Sequence, residues 1–286
     1  MEEILQVKNL TKKYDGFTLD HISFSIPKGT IMGMVGENGA GKSTTIRALL
    51  DLVKKDAGTV SFWGNSLSSS KKLKEEIGVV FDGISFYETL TPANIGKILK
   101  ASYRQWDDRL YQGYLNRFEL ASDKEIKTFS KGMKMKLCIA AALSHRPKLL
   151  ILDEATSGLD PVMRSDILDV FLEFVENDDH SILMSSHITT DLEKIADYIA
   201  FLHQGKLLFC RKKDELRYHY GILRCGESML GQIDKNEILA VQKDHFQWNV
   251  LVQNKELARK KYKAAIVDDA SIDDILMIYV KGERMK

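Results

Sequence analysis

Hydrophobic and polar residues alternate through Glu3–Val7 and again through Leu19–Ile26, the period-2 pattern of half-buried strands. A Pro27-Lys28-Gly29 turn leads from the second strand into an unbroken apolar run, Ile31–Val35, which reads as a further strand. Glycine-rich Gly36–Gly41 comes next, and the spacing then changes: Ile46, Leu49, Leu50 and Val53 share one face of a helix over Lys42–Val53. Strand, glycine loop and helix therefore come in succession. Further strands are expected at Thr59–Trp63 and Ile77–Phe81, with a Ser/Lys stretch, Ser68–Lys74, between them.

From Thr91 to about Leu143 no strand pattern appears, and the one proline, Pro92, suits a helix start, so this segment reads as a helical insert. Leu149–Leu152 reads as a buried strand. Asp160-Pro161 supplies an N-cap and a first-turn proline for a helix that turns Ile167, Leu168, Phe171, Phe174 and Val175 inward. Strand Ile182–Ser185, helix Thr190–Ala196 and a hairpin at Gln204-Gly205 complete a β/α alternation. Beyond about Arg217 the pattern breaks into shorter runs, Phe246–Val252 among them, then a basic helical stretch, Lys255–Lys263, and an apolar close. The expected division is a larger domain, 1–217, with a helical subdomain at about 85–145, and a small C-terminal domain, 218–286.

Charge adds little to this picture. With 41 basic and 40 acidic side chains the net charge is +1, which gives no bulk field for nucleic acid or an anionic membrane. The basic stretches Lys71–Lys74 and Lys255–Lys263 have acids among them and no stacking platform of aromatics, so they read as solvated faces and no nucleic-acid partner is expected. Three cysteines without CxxC spacing argue against a disulfide framework or zinc cluster and for a reducing compartment. The opening MEEILQVKNL does not read as a secretory signal, and no apolar run approaches the roughly 18 residues of a spanning helix, so the chain is not expected to cross a membrane alone.

Two segments carry chemistry. Gly36-Glu37-Asn38-Gly39-Ala40-Gly41-Lys42-Ser43 fits the phosphate-loop pattern, in which backbone N–H groups and a helix N-terminus cradle phosphates. Glycines let the backbone turn around the anion, Lys42 neutralises β and γ oxygens, and Ser43 offers its hydroxyl to Mg²⁺, with Thr44 next on the helix. Leu149–Leu152 then delivers Asp153 and Glu154 to a strand end, where open α/β sheets bind ligands. Asp153 suits the Mg²⁺ shell, and Glu154, pointing elsewhere, suits polarisation of the attacking water.

Together with segments on either side of the paired acids, these motifs resemble the nucleotide-binding domain of ABC transporters over roughly residues 3–217. Ser157-Gly158-Leu159-Asp160 is similar to the family's D-loop, and Ser186-His187 to its switch histidine. Phe129-Ser130-Lys131-Gly132-Met133 occupies the place of the LSGGQ signature and departs from it at three positions, keeping Ser130 and Gly132, with Lys131 between them. Tyr14 lies where the family places an adenine-stacking aromatic. Asp82 stands where the Q-loop glutamine is usual, and a carboxylate there accepts hydrogen bonds without donating, so a Mg²⁺ contact is the role it suits.

The resemblance implies a P-loop NTPase α/β core of the ABC type, with an antiparallel β subdomain, a helical subdomain and a small C-terminal α+β domain. It implies ATP and Mg²⁺ as cofactors and a homodimer in which each subunit presents Ser130, Lys131 and Gly132 to its neighbour's nucleotide. It also implies a membrane-spanning subunit on a separate chain, a peripheral location on the cytoplasmic side of a bacterial membrane, and export of antibiotics or amphipathic peptides. Ser271-Ile272-Asp273-Asp274-Ile275-Leu276 is similar to the closing helix of such exporter subunits. The alternative is a soluble ABC-type ATPase switch acting on DNA or ribosomes, against which stand the single phosphate loop and the absence of long heptads. A phosphotransferase kinase would need neither the D-loop-like segment nor His187.

Overall fold

A computed structural model describes residues 2–83 and 86–284 and divides into two compact units, 1–210 and 211–286. Met1 and Lys286, the outer limits of the expected domains, and Ser85, the expected start of the helical subdomain, lie outside the described residues.

Chain order in the first unit is β1 (Glu3–Tyr14), β2 (Phe17–Pro27), β3 (Ile31–Val35), α1 (Lys42–Leu49), β4 (Ala57–Phe62), α2 (Lys71–Glu75) and β5 (Ile77–Val80). Next come α3 (Pro92–Ser102), α4 (Asp108–Arg117), α5 (Lys131–Leu143), β6 (Leu149–Asp153), α6 (Pro161–Val175), β7 (Ser181–Ser186), α7 (Thr189–Ile195), β8 (Tyr198–His203) and β9 (Lys206–Lys212). The unit boundary falls inside β9. It precedes the expected 217 because the helix after β9 belongs with the second unit, where Lys255 Nζ donates to the Arg217 carbonyl at 3.1 Å.

Two sheets build the first unit. β2-β1-β4 is antiparallel, while β5-β6-β7-β3-β8-β9 contains five parallel strands from β5 to β8. The apolar runs are its interior: every residue of β3, β6 and β7 is buried, as covering a parallel sheet on both faces requires. Ile4, Leu10, Ile22 and Phe62 from the antiparallel sheet share one core with Met32, Leu149, Ile151 and Leu183. The helical insert is α3 to α5, opened by a Thr91–Asn94 capping box with Pro92 at the first turn.

Register brings the strand ends into one line. Val80 pairs with Leu152, Asp153 with Ser185, Ser186 with Val35, and Val35 with Phe201. Residues one or two places further on, Glu154, His187, Gly36 and His203, therefore gather along the carboxyl edge of the sheet.

The second unit runs α8 (Lys213–His219), β10 (Gly221–Cys225), α9 (Glu227–Leu230), β11 (Ile238–Asp244), β12 (Gln247–Val252), α10 (Lys255–Lys261), β13 (Ile266–Asp269), α11 (Ile272–Lys281) and β14 (Glu283–Arg284). Its five-stranded antiparallel sheet, β13-β10-β12-β11-β14, packs Leu223, Val241, Val250 and Val252 into a core of its own with Ala258 of α10. The α+β expectation for this part matches that architecture.

Candidate active site

The glycine loop between β3 and α1 is shaped by what presses on it. At Gly36 a Cβ would lie 2.3 Å from the Leu202 carbonyl, so no side chain fits. Gly41 has φ +109°, a left-handed conformation that favours glycine, and its bare Cα leaves space for Phe17 and Leu19 of β2. Glu37, Asn38 and Gly39 stand at the crest of the loop, with Glu37 and Asn38 exposed, while Gly36 and Ala40 are buried at its feet. Helix α1 starts at Lys42 without a side-chain cap and without an acid in its first turn, which leaves its N-terminal dipole for an anion.

Lys42 is 5% exposed, a depth at which an ammonium needs its hydrogens matched. It donates to the carbonyls of Gly36 at 2.7 Å and Glu37 at 3.3 Å, and it lies 3.2 Å from Glu154 Oε1. The other carboxylate oxygen of Glu154 meets His187 Nδ1 at 2.6 Å. One carboxylate thus bridges the phosphate-loop lysine and the histidine after β7. Glu154 also has φ +53°, a left-handed conformation costing a non-glycine residue roughly 1–3 kcal/mol, and this kink turns it away from Asp153.

Asp153 makes different contacts. Its Oδ1 accepts from Ser185 Oγ at 2.6 Å and from Ser43 Oγ at 3.1 Å, and among the described residues it forms no ion pair. A carboxylate only 3% exposed, held by neutral hydroxyls beside a serine oxygen, is a hard-oxygen donor set that fits Mg²⁺. Ser185 accepts in turn from the Glu154 amide at 3.1 Å, so one serine fixes both acids. Sequence reading missed Ser185; its signal is a buried serine that follows the apolar run Ile182–Met184 of a central strand.

The remaining expected residues fall into a second cluster. Ser130 is the N-cap of α5, its Oγ accepting from the Met133 amide at 3.2 Å. Gly132 is buried against α6, where a Cβ would lie 2.5 Å from Met163 Sδ. Lys131 Nζ sits 2.9 Å from the Cβ position of Gly158 and 4.0 Å from Asp82 Oδ1. Asp160 caps α6 by accepting from the Val162 and Met163 amides, both at 3.0 Å. The segments around Ser130, Gly158 and Asp82 are therefore neighbours within one chain.

Asp82 itself is half exposed, and its carboxylate faces Lys131. Among the described residues no three His, Cys, Asp or Glu side chains converge as a metal-holding group. The Mg²⁺ contact expected of Asp82 thus gains no support from its position, because the chain leaves the sheet edge after Val80 and carries residue 82 toward the α5 start. Tyr14, at the end of β1, is half exposed with Lys12 Nζ 5.2 Å from its ring centre. Phe17, paired with Tyr14 across the hairpin, is the residue that rests against Gly41.

A phosphate loop on a parallel sheet, with a lysine, a hydroxyl and two acids converging below it, defines a P-loop ATPase. The ABC transporter family model matches residues 19–157. The chain is 33% identical to the ABC transporter ATP-binding protein YtrB of Bacillus subtilis, across 76% of this chain and 75% of that one. It is 32% identical to the bacitracin transport ATP-binding protein BcrA of Bacillus licheniformis, across 86% and 80%. With the lantibiotic transport ATP-binding protein SrtF of Streptococcus pyogenes it shares 33% identity, across 82% and 98%. Among solved structures it resembles an ATP binding subunit of an ABC transporter, at 28% identity and TM-score 0.66, covering 75% of this chain and 92% of that one. The chain belongs to the ABC transporter family as an ATP-binding subunit that hydrolyses ATP.

Proposed function

We propose that the chain drives export through membrane-spanning subunits on a separate chain, working as a homodimer that encloses two ATP with Mg²⁺. The observation that carries the catalytic part is the Lys42–Glu154–His187 contact beside the Ser43–Asp153 pair. Lys42 and the loop amides would take the β and γ phosphates, with Gly36, Glu37, Asn38, Gly39, Ala40, Gly41, Ser43 and Thr44 forming the cradle and Tyr14 stacking on the base. Ser43 and Asp153 would hold Mg²⁺, which supplies positive charge against the phosphate oxygens. Glu154 would accept the proton of the attacking water while His187 holds its carboxylate in place and Lys42 stays on the phosphates. Ser130, Lys131, Gly132 and Asp160 would face the partner's nucleotide.

Among the described residues no helix is long and apolar enough to cross a membrane. Relatives named as transport ATP-binding proteins support a separate spanning subunit and a peripheral place on its cytoplasmic side. Relatives named for bacitracin and lantibiotic transport support antibiotic peptides as the cargo class.

Glu154→Gln tests the reading. Turnover should fall by roughly 10²–10⁴ while ATP still binds. With Mg²⁺ and ATP the variant should elute at about twice the 32.5 kDa of one chain, since trapped ATP holds the dimer closed. Turnover above half the wild-type value would place the base elsewhere, and a monomer at saturating ATP would end the dimer proposal.

A further inference from the structure

Among the buried polar atoms of the first unit that lack a hydrogen bond, two face each other: Arg164 Nε in α6 and Asp191 Oδ2 in α7. They lie 3.7 Å apart, with Asp191 only 1% exposed. That separation is attractive for opposite charges but too long for a hydrogen bond, and buried polar atoms left in this condition are rare in folded proteins. A relative shift of about 0.8 Å would bring the pair to the ~2.9 Å of a charge-assisted hydrogen bond.

Both ends of the pair reach toward the site. Arg164 Nη2 donates to the Leu159 carbonyl at 3.0 Å, one residue before the α6 cap Asp160. Asp191 lies in the first turn of α7, four residues after His187. Helix α7 has no side-chain cap of its own. On its sheet side Leu192 fills the space that the bare Gly33 leaves, with both methyls 2.9 Å from the Cβ position, so α7 has no slack toward β3. The guanidinium is a rigid planar fork, so a displacement of the Leu159 carbonyl carries Nε with it.

We propose that Arg164 is a positioning residue. It senses the placement of the Ser157–Asp160 loop through the Leu159 carbonyl and passes it through Asp191 to α7, which sets the His187 ring against Glu154. The proposal rests on the reading of Glu154 and His187 as the hydrolytic pair.

The test uses the full chain with Asp191→Asn, which keeps shape and removes charge, and with Arg164→Met and Arg164→Lys. Each should lower kcat about tenfold or more, since displacements near 1 Å can cost up to ~10². The Kd for ATP should stay within about threefold, because none of these residues belongs to the phosphate loop. Ring ¹⁵N signals of His187 should shift in all three, while the unchanged Kd for ATP separates this effect from a general loss of structure. The Arg164→Met, Asp191→Asn double variant should be no slower than the slower single variant. Wild-type kcat in Asp191→Asn, full activity in Arg164→Lys, or unmoved His187 signals would each overturn the proposal. If Glu154→Gln is inactive while these variants hydrolyse normally, only the Arg164 link fails; if Glu154→Gln is itself active, the hydrolytic reading beneath it fails.

Discussion

Glu154 touches Lys42, His187 and, through its own amide, Ser185, so one residue joins two other segments of the chain, the phosphate loop and the end of β7. The local members of this set were legible because the phosphate loop and the paired acids are contiguous motifs whose spacing encodes their chemistry. Ser185 was not, because a serine in a strand means nothing until register sets it opposite Asp153. Nor was the backbone of Glu154, since φ +53° at a glutamate follows from the crowded strand end rather than from its own preference. Asp82 is a different case: family position suggested metal, and the side chain lies 4.0 Å from Lys131. An exposed pair of that length contributes on the order of 0–1 kcal/mol. Asp82→Asn should therefore leave the Mg²⁺ concentration for half-maximal ATPase activity within about twofold of wild type, as should Asp82→Gln. A clear rise in the Mg²⁺ requirement of the Asn variant alone would return Asp82 to the metal.

Element types were read more securely than element ends. Helix α1 stops at Leu49 rather than Val53 because the chain turns at Asp51, with φ +54°, and the Leu52 amide folds back to the Arg47 carbonyl at 2.9 Å. Phe246, which opens the run Phe246–Val252, is fully exposed at the tip of the β11–β12 hairpin, since Asp244 pairs with Gln247 and leaves two residues for the turn. The β8–β9 hairpin was foreseen from Gln204-Gly205, and both residues have positive φ, as a two-residue turn of this hand demands. Gly205 also donates to the Ala40 carbonyl at 3.0 Å and accepts from the Asp20 amide at 2.7 Å, so this turn braces the phosphate loop against β2. Gly205→Ala would place a Cβ 1.9 Å from the Thr18 carbonyl at φ +76°. A loss of more than about 3 kcal/mol is expected, or roughly 10 °C in melting temperature, with weakened ATP binding. A melting temperature within about 2–3 °C of wild type, on the order of 1 kcal/mol, would contradict the bracing role. His145, after α5, contributes a pH dependence. Burial holds its pKa below the ordinary 6.5, although the Ile77 carbonyl and the carboxylates of Glu75 and Glu76 pull the other way. The unfolded chain therefore binds the proton more readily, and stability is full above about pH 6.5 and falls as pH drops through the lower folded value. Calorimetry at about pH 7.5 and about pH 5.5, on either side of that ordinary value, should show a smaller drop in melting temperature for His145→Gln than for wild type. Equal drops would assign the acid sensitivity to other groups.

At the scale of the whole molecule, the β/α alternation announced the parallel sheet, and the shorter runs after Arg217 lie in the second unit, which begins at Arg211. The order of strands across that sheet was not legible, because apolar runs look alike whichever neighbour they pair with. In that order β3 lies between β7 and β8, which begin at Ser181 and Tyr198, 150 and 167 positions after Ile31. A growing polypeptide therefore presents Ile31–Val35 and the phosphate loop long before either flanking strand has been synthesised. A nascent chain stalled after residue 148 would hold β3 with neither partner, its apolar face open to chaperones, whereas one extended past Lys212 beyond the ribosome tunnel has both. Protease added to stalled ribosomes should digest the Lys42 region in the shorter species and spare it in the longer. Equal protection in both would mean that the amino-terminal third folds without its neighbours. If the shorter species is the vulnerable one, the nucleotide site is the last part of this unit that translation can complete, and ATP can stabilise only molecules already finished to that point.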